Sequence, residues 1–380
     1  MSIEFAYRSD LKSYNLSKEQ RLILVLCDRS FNSTPEIEKM ITDELDWTQI
    51  FTDSMWHKVL FIVLENLITS GLADKALRNG NLPLMILNHW KQLMHVNSIR
   101  NDIHFKEVKE MFQKIRQESL SLAVSKGGIA LIGKIYTMNN RKMYDIDLIG
   151  KRDEHKDIVQ LFNDIEYKMG SYQHSTEELI PLPKDEVRKW LLHTRGLPNF
   201  VKMTNSDIMR YVIVQVQYQI GTTVTKETIP SELFLTQSID NQGIQTVSDV
   251  DLLLQLVLHL YRETKEDSFK EWNMDWNLIK FCDLDRFIHY IHDMGLLDEF
   301  FKRAIELNLY NQCIYSMELV NIVFPSDITS EGLNLLKSRS PSLDRESYTP
   351  EDVFNKLFKL GKHYPKPSSK WSELMEGKTI

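Results

Sequence analysis

Cysteine is scarce in this chain: three in 380 residues, Cys27, Cys282 and Cys313, far apart and without metal-ligand spacing. That excludes a disulfide framework and a thiolate zinc site, and predicts a reducing, cytoplasmic setting. Glycine (14) and proline (11) are also sparse, which excludes a collagen-like or low-complexity chain. No uncharged apolar run approaches the roughly 18 residues of a membrane span, and the opening MSIEFAYRSD lacks the apolar core of a signal peptide. Basic residues do not predominate: 46 Lys and Arg stand against 53 Asp and Glu, a formal charge of −7. This argues against a general nucleic-acid binder while leaving room for a local basic patch. No internal repeat is present. What remains, 42% hydrophobic and 26% charged residues, suits a globular chain long enough to bury a sizeable core.

The pattern divides the chain into three regions. Residues 1–118 read as helical throughout. Ser17 begins one helix with Glu19 and Gln20 in its first turn, Thr34-Pro35-Glu36 caps a second, and Asp46-Trp47 starts a third. Trp56 and His57 head an apolar helix and support the core. Residues 83–117 form one long helix, with Phe105, Val108, Phe112 and Ile115 recurring at helical steps. Residues 119–235 are mixed, and 211–220 (YVIVQVQYQI) are the strongest β-branched run. Ile180-Pro181-Leu182-Pro183 fits only a loop or a strand edge. Residues 236–380 read as helical again, opened by Ser248-x-x-Asp251 and closed by a helix at Thr349-Pro350-Glu351-Asp352. The tail, 364–380, reads as a loosely docked arm.

The stretch with most chemistry is 119–150, SLSLAVSKGGIALIGKIYTMNNRKMYDIDLIG. Leu120, Leu122 and Val124 alternate with small or polar residues, a half-buried strand. Lys126-Gly127-Gly128 breaks it. Ile129, Ile132, Ile135 and Tyr136 then share one face of an expected helix. A second expected strand follows, with Tyr144, Ile146 and Leu148 on one side and Asp145 and Asp147 on the other. Same-face neighbours on a strand lie about 7 Å apart, so the two carboxylates can share a metal. Glycines between strand and helix let backbone N–H groups approach a phosphate, and a helix N-terminus adds positive partial charge. Lys126 and Arg141 place cations beside the turn and before the second strand.

Strand, Gly-Gly turn, helix and Asp-x-Asp strand together resemble the core of the polymerase-beta-like nucleotidyltransferases. The Lys126-Gly127-Gly128 turn, Tyr136 and the run Arg141-Lys142-Met143-Tyr144-Asp145-Ile146-Asp147-Leu148 more closely resemble a bacterial family of uncharacterised nucleotidyltransferases. The weaker likeness extends over residues 18 to 300, through Asp46-Trp47, the helix with His57, that with His259, and Phe281-Cys282-Asp283-Leu284. The resemblance implies an α+β fold, a small mixed-sheet nucleotidyltransferase core flanked by helical N- and C-terminal regions. It implies transfer of a nucleoside monophosphate from an NTP, ATP in first place, to a hydroxyl or phosphate of a small-molecule or peptide acceptor in a biosynthetic pathway. Asp145 and Asp147 would hold Mg²⁺ or Mn²⁺. Gly127 and Gly128 would cradle phosphates, and Lys126 and Arg141 would neutralise departing pyrophosphate. His259, within an apolar run, reads first as a hydrogen-bonded buried histidine, and it and Asp283 are candidates to line the cleft.

One departure stands out. Active members of the superfold add a third carboxylate from a later strand. Here Val214-Gln215-Val216-Gln217-Tyr218 offers Gln215 where that acid is wanted and Gln217 where the resembling family carries a histidine. A glutamine carbonyl can ligate a metal but cannot act as a base. Three rivals follow. A non-catalytic nucleotide-binding or scaffold protein would explain the glutamines. An RNA-modifying toxin would need a basic, aromatic-interleaved surface. A glycosyltransferase would need a large sheet before its Asp-x-Asp. His289 and His292, one helical turn apart, read as a solvated polar face rather than a metal site.

Overall fold

The computed structural model describes residues 9–193, 196–221, 228–271, 276–339 and 348–358; the arm expected at 364–380 lies outside them. The chain divides into two compact units built from discontinuous segments. Among the described residues, one comprises 9–98, 132–142 and 256–358 and is helical. The other comprises 99–131 and 143–255 and carries the sheet.

The sheet unit is α+β, as the pattern predicts. Its strands are β1 (Leu122–Lys126), β2 (Ile146–Gly150), β3 (Lys168–Gln173), β4 (Glu178–Pro181), β5 (Phe200–Met203), β6 (Tyr211–Gln217), β7 (Gln219–Gly221), β8 (Thr228–Pro230), β9 (Ile239–Asn241) and β10 (Ile244–Thr246). Eight of them form a mixed sheet in the order β4-β3-β5-β6-β2-β1-β10-β9, and β7 pairs with β8 alone. β2 is parallel to β6 and β1 is parallel to β10, while the other pairs are antiparallel. β9 and β10 fall after residue 236, where helix is expected. Each has only three residues, too few to show a period in sequence.

β2 is buried at every position and β1 at all but its last. They lie in the middle of the sheet, so alternation cannot expose one face. On one face Leu148, Val214, Val216 and Phe200 sit with Gly150, whose Cβ would meet Ile158 at 3.2 Å. Ile158, Leu161 and Phe162 form the buried stripe of helix His155–Asp164, and the rings of Phe162 and Phe200 stack 4.4 Å apart. Ser231 reaches the same place, its hydroxyl donating to the Gly150 carbonyl at 2.6 Å. β4 ends at Pro181 at the sheet's edge, the one location where a missing N–H costs nothing.

Two expectations around the central turn are corrected. The helix after Gly127 spans four residues, Gly128–Leu131, not the eight or nine that Ile129 to Tyr136 suggest. Gly133, at φ +88°, breaks it, and the chain folds back with Gly133 donating to the Tyr136 carbonyl at 2.8 Å. A single turn has no useful macrodipole, so the helix-terminus argument for phosphate binding falls away. The second strand begins at Ile146, so Tyr144 and Asp145 precede it, outside the strand.

The helical unit follows the capping chemistry of the sequence. Ser17 and Gln20 close a reciprocal capping box on helix Lys18–Cys27, Thr34 caps Pro35–Thr42, and Asp46 accepts from Thr48 and Gln49 to start Trp47–Trp56. Its axis of burial is helix Leu278–Asp293, of which twelve residues are buried. His57 supports that helix: its Nδ1 accepts from Leu278 N at 3.3 Å and its carbonyl from Ile279 N at 3.2 Å. All three cysteines are buried free thiols. Among the described residues no helix is long and apolar enough to cross a membrane.

Candidate active site

In the sheet unit, the site is made by an irregularity between β1 and β2. The antiparallel register pairs Ala123 with Ile149 and Val124 with Leu148, then slips, so that Lys126 rather than Ser125 pairs with Asp147. Ser125 is the extra residue of a β-bulge, and its hydroxyl lies 3.4 Å from the Asp147 carbonyl. Without the slip, Lys126 would share the face of Leu122 and Val124. With it, the ammonium comes onto the face of Asp147 and donates to Oδ1 at 2.9 Å. The lysine side chain is 15% exposed and the aspartate 5%.

Gly127 comes next, at φ +81°, a conformation open to glycine and strained for other residues. A Cβ there would stand 3.3 Å from Asp147 Oδ2. The turn therefore passes close to one carboxylate oxygen while Lys126 holds the other. Gly128 has a different reason to be glycine: a Cβ there would lie 2.1 Å from Cγ of Met143, which is buried. It lets the turn pack on the chain leading to Asp145, which is half-buried just before β2.

The parallel register of β2 and β6 sets Asp147 beside Gln215 and Ile149 beside Gln217. Partners in register point to the same face, so Asp147, Gln215 and Gln217 share it while Val212, Val214 and Val216 are buried on the other. The amide thus occupies the neighbouring-strand position beside the buried aspartate.

The remaining residues singled out from the sequence, Arg141, His259 and Asp283, lie in the helical unit, each in a polar pair. Arg141 Nη2 donates to Asp283 Oδ2 at 2.9 Å, both side chains about a tenth exposed. The Arg141 and Arg286 guanidiniums lie 5.8 and 5.5 Å from the Tyr136 ring centroid. Burial, and then the Asp283 charge, push the Tyr136 hydroxyl well above its ordinary pKa. His259 Nε2 is 2.6 Å from Glu263 Oε1, and Glu263 is also ion-paired with Lys280. The solvated face expected of His289 and His292 holds only for His292: His289 is buried against Asp285 on the inward side of its helix. Among the described residues no group of three or more His, Cys, Asp or Glu is placed to hold a metal. The sequence could not foresee the Arg141–Asp283 pair, whose members are 142 residues apart, nor the bulge that turns Lys126.

A hard divalent cation fits what is present at Asp147. Asp147 offers a carboxylate, Oδ1 of which meets Lys126, the in-register Gln215 carries an amide whose carbonyl is a hard oxygen donor, and the glycine turn leaves the space of a missing Cβ beside Oδ2. Mg²⁺ is commonly held by one or two carboxylates with substrate phosphates completing its shell. Such an ion does not need a three-residue protein cluster.

A family model described as uncharacterised nucleotidyltransferase matches residues 43–325, which include both units' candidate residues. No curated protein and no solved structure matches the chain.

Proposed function

The chain belongs to this uncharacterised nucleotidyltransferase family, and on that premise we propose that it is an Mg²⁺-dependent enzyme acting on an NTP, ATP in first place. It transfers the nucleoside monophosphate to a hydroxyl or phosphate of a small-molecule or peptide acceptor. The observation that carries the reading is the convergence of Lys126, Gly127 and Asp147 at one end of the central strands, with Gln215 in register beside Asp147. In the reaction the acceptor oxygen bonds to the α-phosphorus, the bond to the α–β bridging oxygen breaks, and pyrophosphate leaves with that electron pair. Asp147, with Asp145 just before the strand, would bind the cation, which supplies Lewis acidity toward the phosphate oxygens. The Gly127-Gly128 turn brings backbone close to the phosphates, and Lys126 offers charge to the leaving pyrophosphate. Gln215 cannot take a proton at neutral pH. An acceptor phosphate, already ionised, needs no base there, whereas a hydroxyl does; this favours the phosphate among the two acceptor classes.

The test is calorimetric titration of ATP, GTP, CTP and UTP with and without Mg²⁺, against wild type and an Asp145→Ala/Asp147→Ala variant. Mg²⁺-dependent binding of one NTP, lost in the variant, supports the site. No binding of any NTP at millimolar concentration overturns it. A second reading, a nucleotide-binding protein without turnover, draws on the Gln215 register. It is separated by pyrophosphate release: binding without release across a panel of phosphate and hydroxyl acceptors favours it.

A further inference from the structure

Lys126 does more in this fold than stand near a phosphate turn. The backbone spends a β-bulge to bring it onto Asp147. The pair is short, 2.9 Å, and largely shielded from water. One carboxylate oxygen meets the ammonium, and the other faces the Gly127 backbone. The neighbouring strand adds a neutral amide at Gln215, not a second negative charge. Among the described residues no three acidic, histidine or cysteine side chains gather to hold a metal. A buried carboxylate without compensation is costly, and removing one partner of a buried pair leaves that cost exposed. The protein alone therefore already has its cation for Asp147, and it is covalently attached.

We propose that Lys126 is a tethered counter-cation that occupies Asp147 until a nucleotide arrives, so that this protein takes a divalent cation only together with a triphosphate. The inference rests on the nucleotidyl-transfer reading and deepens it. Lysine suits the role because its charge is a compact point on a flexible four-carbon stem. The ammonium, on its flexible stem, can leave Asp147 for the β- and γ-phosphates of a nucleotide held at the adjoining turn, as the nucleotide's cation comes to the carboxylate. One positive charge is exchanged for another at Asp147, and the displaced one meets the negative charge that came with it. Metal in excess without nucleotide would have to displace Lys126 and cost its largely shielded ammonium the Asp147 partner. This explains why a lone amide suffices at the Gln215 position: a third carboxylate would favour metal binding ahead of nucleotide, and the lysine arrangement opposes it.

The experiment is Mn²⁺ binding followed by electron paramagnetic resonance on the full chain, with no nucleotide and then with a non-hydrolysable ATP analogue. Wild type is expected to bind Mn²⁺ at least about tenfold more tightly when the analogue is present. Lys126→Met is expected to bind Mn²⁺ alone at least about tenfold more tightly than wild type, with the gain lost in Lys126→Met/Asp147→Asn. Lys126→Arg keeps the charge and is expected to resemble wild type. Wild type that binds Mn²⁺ equally well with and without the analogue overturns the proposal, even if Lys126→Met does not fold. So does a Lys126→Met protein whose Mn²⁺ affinity alone matches wild type, while analogue binding by wild type leaves the transferase reading standing. Failure of the analogue and of every natural NTP to bind overturns that reading and this inference with it.

Discussion

Arg141 and Asp283 form an ion pair at 2.9 Å whose two side chains are each about a tenth exposed. The pair ties the loop after Tyr136 to helix Leu278–Asp293, within the helical unit. The other Asp283 oxygen, Oδ1, is buried without a hydrogen-bond partner, so the aspartate depends on its bond to the guanidinium. Removing one member strands a buried charge. Asp283→Ala is expected to destabilise the chain by about 3–5 kcal/mol, whereas the apolar double variant Arg141→Met/Asp283→Leu is expected to recover most of that. The midpoint of urea unfolding for the two variants checks this. Equal losses in both would show that the pair is held for packing and not for charge.

Gly127 and Gly128 are adjacent but do different work, and alanine should separate them. At Gly128 the new Cβ would lie 2.1 Å from Met143 Cγ, and overpacking of this kind costs about 1–3 kcal/mol. Met143→Ala makes room, so the Gly128→Ala/Met143→Ala double variant should be more stable than the two single losses added together. At Gly127 the φ of +81° makes alanine strained by about 1–2 kcal/mol, and the methyl group would sit 3.3 Å from Asp147 Oδ2. Gly127→Ala should therefore weaken NTP binding more than its loss of stability accounts for, and Gly128→Ala should not. Thermal melts and nucleotide titrations on the same samples decide between these outcomes.

Much of this was legible in the sequence wherever the determinant is local. Ser17 with Gln20, Thr34 with Pro35, and Ser248 with Asp251 announce helix starts that the structure contains. The β-branched run 211–220 is a strand up to Gln217. What was not legible depends on partners distant in sequence or on a single residue's slip. The parallel pairing of β1 with β10 joins Val124 to Thr246, and three-residue strands carry no period. The length of the helix after Gly128 is set by Gly133, whose position in an otherwise helical apolar pattern gives no warning. The bulge at Ser125 decides which face Lys126 occupies, yet SLAVSK reads equally well in either register. The resemblance puts Gln215 at the position of a carboxylate facing the Asp pair, and the strand register sets it beside Asp147.

Gln215 gives a prediction of the opposite sign. Adjacent strands are about 4.8 Å apart, and Gln215 is in register with the buried Asp147. Gln215→Glu would add a second carboxylate on the same face. Like charges directly opposite destabilise a sheet by up to about 1 kcal/mol, so the variant should melt lower than wild type in the absence of metal. Mn²⁺ should then restore the loss and raise the melting temperature above that of metal-free wild type, by the linkage of ligand binding to folding. A variant that melts lower and does not respond to Mn²⁺ would remove the Asp147–Gln215 face from the metal site. The readout is melting temperature against Mn²⁺ concentration, with Mg²⁺ as a second titrant.

The last prediction concerns pH and a carboxyl the proposed chemistry does not use. Asp285 lies on helix Leu278–Asp293, almost fully buried, and burial pushes its pKa up to about 7. Asp28 raises it further, while Arg29 and Arg286 oppose the shift. His289, one turn on, donates its Nδ1–H to the Asp285 carbonyl over 2.8 Å and has its own pKa lowered by burial. The direction follows from proton counting. Between about pH 4 and 7 the folded chain holds a proton on Asp285 that the unfolded chain has released. Unfolding free energy attributable to this group therefore falls as pH rises through that window, and the penalty is complete above pH 7. With each tenfold change in proton affinity worth about 1.4 kcal/mol, the penalty is on the order of 4 kcal/mol. His289 works the other way, because its lowered pKa makes the folded chain bind fewer protons below pH 6.5. Asp285→Asn keeps the size and removes the titration. Its stability relative to wild type should thus increase steadily from pH 4 to pH 7 and level off above, when both proteins are unfolded in urea across that range. A difference that does not change with pH would mean that Asp285 is ionised in the folded chain throughout, held by Arg29 and Arg286 after all.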